Sequence, residues 1–571
     1  MSRTITIFSL ALLLGCTGKV DGSGGGAGGS SGGGSATGGG SGGGAATGGG
    51  AATGGGSAAG GGAATGGGAA TGGGSATGGG GGGMSDAGSY GPTFGAFVGL
   101  NAFIDDPVPL LAAIGNVREY HSWQWCEGNG DSNYPGYPNN QNSFVMFGGY
   151  WNWDTYYSHL ADAGVFGYPV IQAGVSFVNN GAVPPVPADA GLTDPASYIA
   201  HADHMFQYAA RYGRTTVADA KLKLAADQTR VSALGSVQYI EDFNEQDATW
   251  VLPGGAYLFP PDVYAAMASA DYDGDQGRLG TTVGIKNADP TMKMVMGGLA
   301  GKGNTFDDWE QSCESYISGV QTWADAHRGG SFPGDVLNVH HYDFGPDGFG
   351  VPNPRPAVSP EEDDVVTKMK KLVAYRDAHY PGMELWITEF GYDTDSMSNL
   401  RSPPIGSNSA GIVQGQWLIR SYLALMEAGF DRAFVFVSRD GCSGSNCHVQ
   451  FDTSGLTGVK NDWTPKPAYY FIATLRSRLA PFAWAGIVSQ SPVKIAKAVD
   501  VAGGRTAWIL WSPTSMDTKV TGYSLDVGSA TTVKAVRLVD QQLSGTESTL
   551  TVSANHVTLD VDETPVLVIA N

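Results

Sequence analysis

The sequence predicts a (β/α)8 TIM barrel followed by a small C-terminal β-sandwich, and three observations lead to this fold class. Eight short apolar segments, each typical of a buried strand, occur between residues 94 and 437. Amphipathic segments of helical periodicity follow them, as in successive β-α units. After residue 480 only short β-rich segments remain. The main alternative is an open doubly wound sheet, which would need a glycine-rich turn after the first strand, and the sequence has none there.

The first 16 residues have the features of an export signal. Arg3 supplies positive charge, and an apolar stretch too short to span a bilayer ends in Leu13-Leu14-Gly15-Cys16. This ending resembles the bacterial lipobox, which implies cleavage before Cys16, lipidation of that cysteine, and an exported lipoprotein at the outer membrane or cell surface. An ordinary signal peptide with an incidental cysteine is the alternative.

Residues 17–88 form the next segment, and residues 23–83 within it contain only Gly, Ser, Ala and Thr. Such a composition cannot bury a core, so we expect a flexible linker that holds a folded body away from the membrane. The barrel is expected over residues 89–480 and the β-sandwich over residues 481–571.

Charge and cysteine usage narrow the function classes. The net charge of −21 argues against a nucleic-acid partner, because that needs a basic surface. No later segment is apolar enough to predict a transmembrane helix, so membrane contact is expected only through the lipid on Cys16. Cys442 and Cys447 are close enough in sequence to predict a loop disulfide, whereas the spacing of Cys126 and Cys313 gives no support for a second one.

The predicted barrel elements alternate along the chain. The strands are expected at residues 94–101, 116–120, 168–174, 237–243, 294–299, 336–342, 385–390 and 433–437. Helices are expected at 155–163, 196–212, 262–270, 307–327, 361–379, 410–428 and 467–479. Three residues predict where the helix at 361–379 begins: Ser359 as N-cap, Pro360 in the first turn and Glu362 completing a capping box.

Polar residues lie at or just after the C-terminal ends of several of these strands, where a barrel of this kind has its active site. Each of two strands brings one carboxylate there, and two facing carboxylates are the minimum for cleaving a glycosidic bond. The candidates, in chain order, are Arg118, Glu119, His121, Asn244, Glu245, His341, Tyr342 and Glu389.

This pattern resembles the clan A glycoside hydrolases, in which the two catalytic carboxylates end strands four and seven. Asn244-Glu245 and Glu389 carry the resemblance, and Arg118 and the His341-Tyr342 pair also match. A barrel followed by a small β-sandwich is similar to families 30 and 39 and some members of family 5. The resemblance spans residues 94–571 and implies a retaining enzyme that acts on a sugar and needs no cofactor.

The resemblance also implies a role for each residue. Glu245 would be the general acid/base and Glu389 the nucleophile, with carboxyl groups about 5–5.5 Å apart. At that distance one carboxyl raises the pKa of the other, which would keep Glu245 protonated while Glu389 is ionised. Arg118 and Tyr342 would hydrogen-bond Glu389, and Asn244 would bind the sugar 2-hydroxyl.

The neighbouring histidines are expected to differ in position. His341 is placed near the acid/base or the adjacent sugar. His340 is expected on the opposite face of the strand, packed against a helix, because side chains alternate along a strand.

The sequence departs from the clan pattern at two points. Gln246 follows the acid/base where the clan commonly has proline, and the eighth strand lacks the tryptophan common at its end. Arg439 or Asp440, which follow that strand, could contact a substrate substituent or form a surface salt bridge.

Aromatic residues crowd the predicted mouth of the barrel. Trp123, Trp125 and Trp250 are candidate stacking platforms for sugar rings, and Trp151 and Trp153 lie nearby in sequence. Loop packing is the alternative for each. Several aromatic residues in long loops favour a cleft for a polysaccharide.

Metal and serine-nucleophile chemistry have little support in the sequence. Asp271-Tyr272-Asp273-Gly274-Asp275 resembles part of a calcium loop but lacks the closing glutamate, so a solvated acidic loop is the alternative. No His/Cys cluster has zinc spacing and no Gly-x-Ser-x-Gly motif occurs, so we predict no metal site.

The sequence therefore predicts a surface-tethered retaining β-glycosidase whose partner is a polysaccharide or oligosaccharide. A transglycosylase using the same residues and a non-catalytic carbohydrate-binding barrel are the alternatives. Both carboxylates are present, which argues against the second.

Overall fold

A computed structural model of the chain describes residues 90–127, 141–145, 151–303, 305–347, 353–444 and 447–570. The predicted signal peptide, Cys16 and the predicted linker lie outside the described residues. Among the helices of this described part, none is long and apolar enough to cross a membrane.

Eight parallel strands form a closed barrel, in which β1 pairs with both β2 and β8. The predicted barrel is therefore confirmed, and each strand lies within a few residues of its predicted place. The strands are β1 (Val98–Ala102), β2 (Asn116–Ser122), β3 (Gly167–Gln172), β4 (Tyr239–Asn244), β5 (Lys293–Gly298), β6 (Val336–His340), β7 (Glu384–Phe390) and β8 (Arg432–Val435).

Among the residues that the structure describes, eight longer helices accompany the barrel strands. They are α1 (Val108–Ile114), α2 (Trp153–Asp162), α3 (Ile199–Tyr212), α4 (Pro261–Asp273), α5 (Phe306–His327), α6 (Val365–His379), α7 (Ala410–Ala428) and α8 (Pro467–Leu479). Single-turn helices lie at Phe94–Phe97, Ser176–Asn179 and Ile285–Ala288, and 3-10 helices at Trp123–Trp125, Pro195–Tyr198, Asp219–Lys221 and Pro253–Gly255.

The predicted start of α6 is wrong by several residues, although its capping box forms. The Glu362 backbone N–H donates to Ser359 Oγ (3.3 Å) and the Ser359 N–H donates to the Glu362 carboxylate (3.2 Å). These bonds close a turn that precedes the helix, because Asp364 has φ 54° and separates that turn from the helix beginning at Val365.

The C-terminal region is β-structure, as predicted. A six-stranded sheet has the order β14-β13-β16-β11-β10-β9, and β12 pairs with β15 in a second sheet. The strands are β9 (Ala483–Ser489), β10 (Lys494–Asp500), β11 (Arg505–Trp511), β12 (Val520–Asp526), β13 (Val533–Arg537), β14 (Thr546–Leu550), β15 (His556–Val561) and β16 (Val566–Ala570). β9, β12 and β14 are mostly half-buried or exposed, so they have only a weak apolar pattern in the sequence.

The six-stranded sheet buries both of its faces. Ile495, Leu510 and Val568 belong to a core shared with β12 and β15, which makes this region a sandwich. Residues of the opposite face, including Ile509 and Trp511, belong to the large core of the barrel and its helices. The sandwich is therefore packed directly against the barrel.

Aromatic side chains fill the barrel below the site. Tyr168, Trp386 and Phe434 have ring centroids 5.4–5.8 Å apart and are fully buried. The Tyr168 hydroxyl donates to Glu241 at 3.3 Å, so the polar site begins directly above this apolar layer.

Candidate active site

Strand β2 presents alternate residues to the barrel interior. The Arg118 and Tyr120 side chains both reach Glu389 on β7. Glu119 faces the helices instead, where it accepts hydrogen bonds from Trp153 Nε1 (3.2 Å) and the Tyr157 hydroxyl (2.8 Å). His121 is buried on the same outer side as Glu119, against Trp153. Because side chains alternate along a strand, Arg118 faces the barrel interior, whereas Glu119 and His121 do not. The same alternation places Tyr120 in the interior, a residue that was not among the predicted candidates.

Strand β4 departs from regular geometry where it reaches the site. Glu241 points inward to Arg118, and Asp242 points outward to α3 and α4. Phe243 then has φ 76° and packs on Phe259, with ring centroids 4.6 Å apart. This left-handed conformation is strained for a bulky residue and brings the following Asn244 into the interior, where it accepts a hydrogen bond from Arg118.

Strand β7 contains a bulge beside the second carboxylate. Val339 and His340 of β6 are partnered by Ile387 and Glu389, so Thr388 is an extra residue. Thr388 and Glu389 consequently both face the interior, where Thr388 Oγ1 lies 3.0 Å from His340 Nε2. Phe390 faces α7, with its ring 4.9 Å from that of Tyr422. The bulge thus turns Glu389 toward the other carboxylate.

The predicted positions of the two histidines are wrong. His340, not His341, lies between the carboxylates, with Nδ1 3.1 Å from Glu245 and 3.6 Å from Glu389. The reason is alternation, because His340 shares the inner face of β6 with Asn338, whose amide donates to Glu241 at 3.1 Å.

His341 lies outside the barrel interior. Its Nε2 is 3.0 Å from Asp343 and its ring packs on Trp309 of α5 at 4.9 Å. Burial lowers the pKa of His341, but the carboxylates of Asp343 and Asp363 together outweigh that effect and raise the pKa to about 9.

Glu389 receives three hydrogen bonds within the site. Arg118 donates from Nη1 to Oε1 (2.9 Å), and the Tyr120 hydroxyl donates to the same oxygen. The Tyr342 hydroxyl donates to Oε2 at 2.9 Å. The carboxylate is thereby fixed in one orientation before any substrate enters.

Arg118 is itself held by a second carboxylate that the sequence analysis missed. Its Nε and Nη2 donate to the two oxygens of Glu241, each at 2.7 Å, in a fully buried bidentate pair. Asn101 Oδ1 and Asn244 Oδ1 each accept from Arg118 at 2.7 Å. The latter bond orients the Asn244 amide, whose NH2 group can then donate to a ligand.

The two catalytic candidates lie close together. An oxygen of Glu245, an oxygen of Glu389 and a His340 nitrogen all lie within 4.8 Å of one another. The Glu245 side chain is partly exposed and that of Glu389 is buried. This upper limit on one oxygen–oxygen distance is shorter than the carboxyl spacing of about 6.5–9.5 Å in inverting glycosidases and is compatible with the spacing of about 5–5.5 Å in retaining ones.

The electrostatics favour an ionised Glu389. Burial raises the pKa of its carboxyl group, but the charges of His340 and Arg118 and the phenol hydrogen bonds leave the pKa below its ordinary value. Burial lowers the pKa of His340, and the two glutamates more than compensate, so that the pKa of His340 is raised. Burial raises the pKa of Tyr120 and Tyr342 well above the ordinary value, so both remain neutral donors.

Two phenylalanines, Phe436 and Phe451, border the site near the end of β8. Phe436, just after β8, packs edge-on against Tyr120 and Tyr342 at 6.4 and 6.5 Å. Phe451, from the loop that follows, packs on Tyr342 at 4.9 Å. These contacts give this side of the site an aromatic wall made of phenylalanine rings.

The structure separates the candidate tryptophans. Trp123 and Trp125 are buried and pack against His201 and Trp151 respectively, and Trp153 is buried on α2. Trp250, after β4, is 43% exposed. Of the three candidates for sugar stacking, only Trp250 presents an accessible ring.

The residues that depart from the clan pattern have structural partners. Gln246 donates to the Gly297 carbonyl at 2.9 Å, which ties the end of β4 to β5. Arg439 pairs with Asp105 and Asp106, and Asp440 pairs with Lys466 at 2.8 Å. The salt-bridge interpretation of Arg439 and Asp440 is therefore the one the structure supports.

The acidic stretch after residue 270 does not form a calcium loop. Asp271 and Asp273 lie in the last turn of α4 and point in different directions, since Asp273 pairs with Arg328 at 2.9 Å. Asp275 pairs with Arg278, and Asp271 is buried. Neither a calcium loop nor a solvated acidic loop describes this segment.

The cysteines divide as the spacing indicated. Cys442 and Cys447 form a disulfide after β8. Cys126 and Cys313 are free and buried.

Comparison with known proteins confirms the fold. No protein-family model and no curated protein matches the sequence. The structure resembles that of a family 39 glycoside hydrolase from the gut symbiont Bacteroides cellulosilyticus WH2, at a TM-score of 0.53 and 16% identity, covering 83% of this chain and 80% of that one. The predicted resemblance to the clan A glycoside hydrolases is thus confirmed for the fold.

Two further solved structures overlap less closely. A family 39 enzyme from Xanthomonas axonopodis pv. citri has a TM-score of 0.49 and 14% identity, covering 84% of this chain and 95% of that one. A family 44 xyloglucanase from Paenibacillus polymyxa has a TM-score of 0.49 and 13% identity, covering 84% and 97%.

Proposed function

We propose that the chain is a retaining glycoside hydrolase that cleaves β-glycosidic bonds of a polysaccharide or oligosaccharide, with Glu389 as nucleophile and Glu245 as acid/base. The observation that carries the proposal is the approach of these carboxylates to within 4.8 Å, with His340 between them. The likeness in fold to a glycoside hydrolase supports the same reaction class.

The reaction divides into two steps. The Glu389 carboxylate attacks the anomeric carbon while Glu245 gives its proton to the departing glycosidic oxygen, which forms a glycosyl ester and frees the leaving group. Glu245 then takes a proton from water, whose oxygen attacks the same carbon and releases Glu389. The net change is addition of one water across the bond, with retained configuration.

The surrounding residues support the roles of Glu389 as nucleophile and Glu245 as acid/base. Arg118, Tyr120 and Tyr342 hold Glu389 ionised and aimed, because each donates to its carboxylate. Asn244 offers an amide N–H to a sugar hydroxyl, a contact that strengthens as the transition state forms. Trp250 offers an exposed ring to a sugar farther from the bond that breaks.

The test compares three variants on a panel of aryl β-glycosides and β-linked glycans. Glu389→Gln should abolish cleavage while glycan binding remains. Glu245→Ala should lose about 10²–10⁴-fold on natural glycans. It should lose far less on substrates with good leaving groups, and azide should rescue it with formation of a β-glycosyl azide. Glu310→Gln on α5 is the matched control and should keep wild-type activity.

Each result bears on the proposal. An α-configured azide product would contradict retention. Absence of cleavage by the wild type across the panel, with binding unchanged by Glu389→Gln, would favour a binding protein. Products longer than the substrate would indicate transglycosylation by the same residues.

We also propose that the enzyme is displayed on the cell surface as a lipoprotein. Cys16 would carry the lipid, residues 17–88 would be the tether, and residues 89–480 and 481–571 would be the catalytic and sandwich domains. Cys16→Ser should abolish incorporation of labelled fatty acid into the protein, and labelling of that variant equal to the wild type would contradict the proposal.

A further inference from the structure

A cluster of three buried ionisable side chains lies behind β4, on the side away from the site. His201 comes from α3, Asp242 from β4 and Asp271 from α4. All three residues are fully buried. His201 Nδ1 lies 2.8 Å from Asp271 Oδ2. One potential ligand atom from each residue lies within 4.8 Å of those of the other two.

The two carboxyl groups of this cluster lack a lysine or arginine partner in the part of the chain that the structure describes. Among the described residues, no lysine or arginine forms an ion pair with Asp242 or Asp271, and His201 is the ion-pair partner of Asp271 alone. When both aspartates are ionised, the two Asp242 carboxylate oxygens, Asp271 Oδ1 and His201 Nε2 are buried without a hydrogen-bond partner among those residues; a proton on one aspartate would join the Asp242 and Asp271 side chains by a hydrogen bond. Burial of an ionised carboxylate in this state is unfavourable unless a proton or a cation compensates it.

Two other groups of potential ligands differ in this respect. Glu389, near Glu245 and His340, is paired with Arg118. Asp363, near His341 and Asp343, is paired with Lys368 at 2.7 Å. Each of these two groups thus has one carboxylate paired with a lysine or arginine. In the cluster behind β4, neither carboxyl group has such a partner among the described residues.

We propose that His201, Asp242 and Asp271 bind one divalent transition-metal ion, with Zn²⁺ as the best fit. A charge of +2 neutralises the two carboxylates. An imidazole nitrogen with carboxylate oxygens suits Zn²⁺, whereas Ca²⁺ and Mg²⁺ take oxygen ligands. In a tetrahedral zinc site with bonds of about 2.0–2.2 Å, ligand atoms lie roughly 3.4 Å apart. The separations in the cluster, from 2.8 Å to within 4.8 Å, bracket that value.

The site is structural, because it is enclosed by packed side chains. The Trp123 ring covers His201, with centroids 5.1 Å apart. The metal joins α3, β4 and α4 and thereby fixes the strand that directly precedes Glu245. The ion stabilises the catalytic strand from behind and takes no part in the reaction itself.

The test measures metal content and stability of the purified full-length chain. Elemental analysis of the wild type should find about one zinc per chain, and a chelator-treated sample should regain melting temperature on addition of Zn²⁺. Substitution with Co²⁺ should give the visible absorption of a tetrahedral site. The double variant Asp242→Asn/Asp271→Asn keeps the side-chain shapes and should retain no metal and show no Zn²⁺-dependent shift.

Two control variants separate this site from the other groups. Glu389→Gln and Asp363→Asn should each keep one zinc per chain. Loss of the metal in Glu389→Gln would overturn the proposal and place the ion in the active site. A wild type that carries no metal, takes up none, and shows no shift with Zn²⁺ would also overturn it, with protons shared by the two aspartates as the explanation. The wild-type measurements decide this even if the double variant does not fold.

Discussion

Removal of the Tyr342 hydroxyl should raise the pH at which the enzyme loses activity on the acid side. Tyr342 donates to Glu389 Oε2 at 2.9 Å, and that bond is one of the effects that hold the pKa of Glu389 below its ordinary value. Because this pKa is lowered, the nucleophile stays ionised until the pH falls through the lowered value. Tyr342→Phe deletes the donor and keeps the ring, so the loss of activity should begin at higher pH.

The size of the effect follows from the strength of the bond. A hydrogen bond to a charged group contributes about 1.5–3 kcal/mol, and one pKa unit corresponds to about 1.4 kcal/mol. Arg118, Tyr120 and His340 remain in place, so we expect the lower end, a rise of about one unit.

The assay is the pH profile of kcat/KM, measured with the aryl β-glycoside that the wild type hydrolyses fastest. The acid limb reports the ionisation of Glu389 in the free enzyme. Tyr316→Phe is the matched control, because its hydroxyl donates to the Phe259 carbonyl at 2.7 Å. The control should lower the melting temperature and leave the acid limb unchanged. An unshifted limb in Tyr342→Phe, or equal shifts in both variants, would refute the reasoning.

Three further predictions concern other parts of the molecule. His340→Gln removes the charge between the carboxylates, so kcat should fall by about 10²-fold with little change in KM, and an unaltered kcat would contradict that role. Glu361→Gln leaves Arg420, whose Nε lies 2.9 Å from Glu361, buried without its anion. Urea denaturation should show a loss of about 3 kcal/mol, partly recovered when Arg420→Met is added, and a loss that the second substitution deepens would argue against this. Trp250→Ala should raise KM for long oligosaccharides and leave the melting temperature unchanged. Trp123→Ala should lower the melting temperature and leave KM unchanged, as measured by thermal denaturation and kinetics. A raised KM in Trp123→Ala with a lowered melting temperature in Trp250→Ala would show that the two rings were assigned wrongly.

The sequence predicted the elements that depend on local pattern. Apolar segments that end in polar residues located the barrel strands, and the positions of Glu245 and Glu389 on the fourth and seventh strands followed from counting them. Alternation along a strand was already available in the sequence, and it would have indicated Tyr120 beside Arg118 and His340 beside Asn338.

Other features depend on contacts between distant segments. The bulge at Thr388 arises from pairing of β7 with its neighbours, and no local signal marks it. Trp123 and Trp250 are chemically equivalent in the sequence, because an indole ring suits both a core and a sugar-binding surface. The meeting of His201, Asp242 and Asp271 requires α3 and α4 to pack on β4, which spacing along the chain does not reveal.

The irregular backbone beside each carboxylate has a consequence for engineering. Phe243 has φ 76° just before Asn244-Glu245, and the extra Thr388 precedes Glu389. A stabilising redesign that favours ideal strand geometry would select against both features, since regular strands have neither positive φ nor bulges. Such a redesign would yield a sturdier barrel whose two carboxylates no longer face each other. Any programme to make this protein more heat-resistant should therefore hold these two backbone segments fixed and confine its substitutions to the helices and the sandwich.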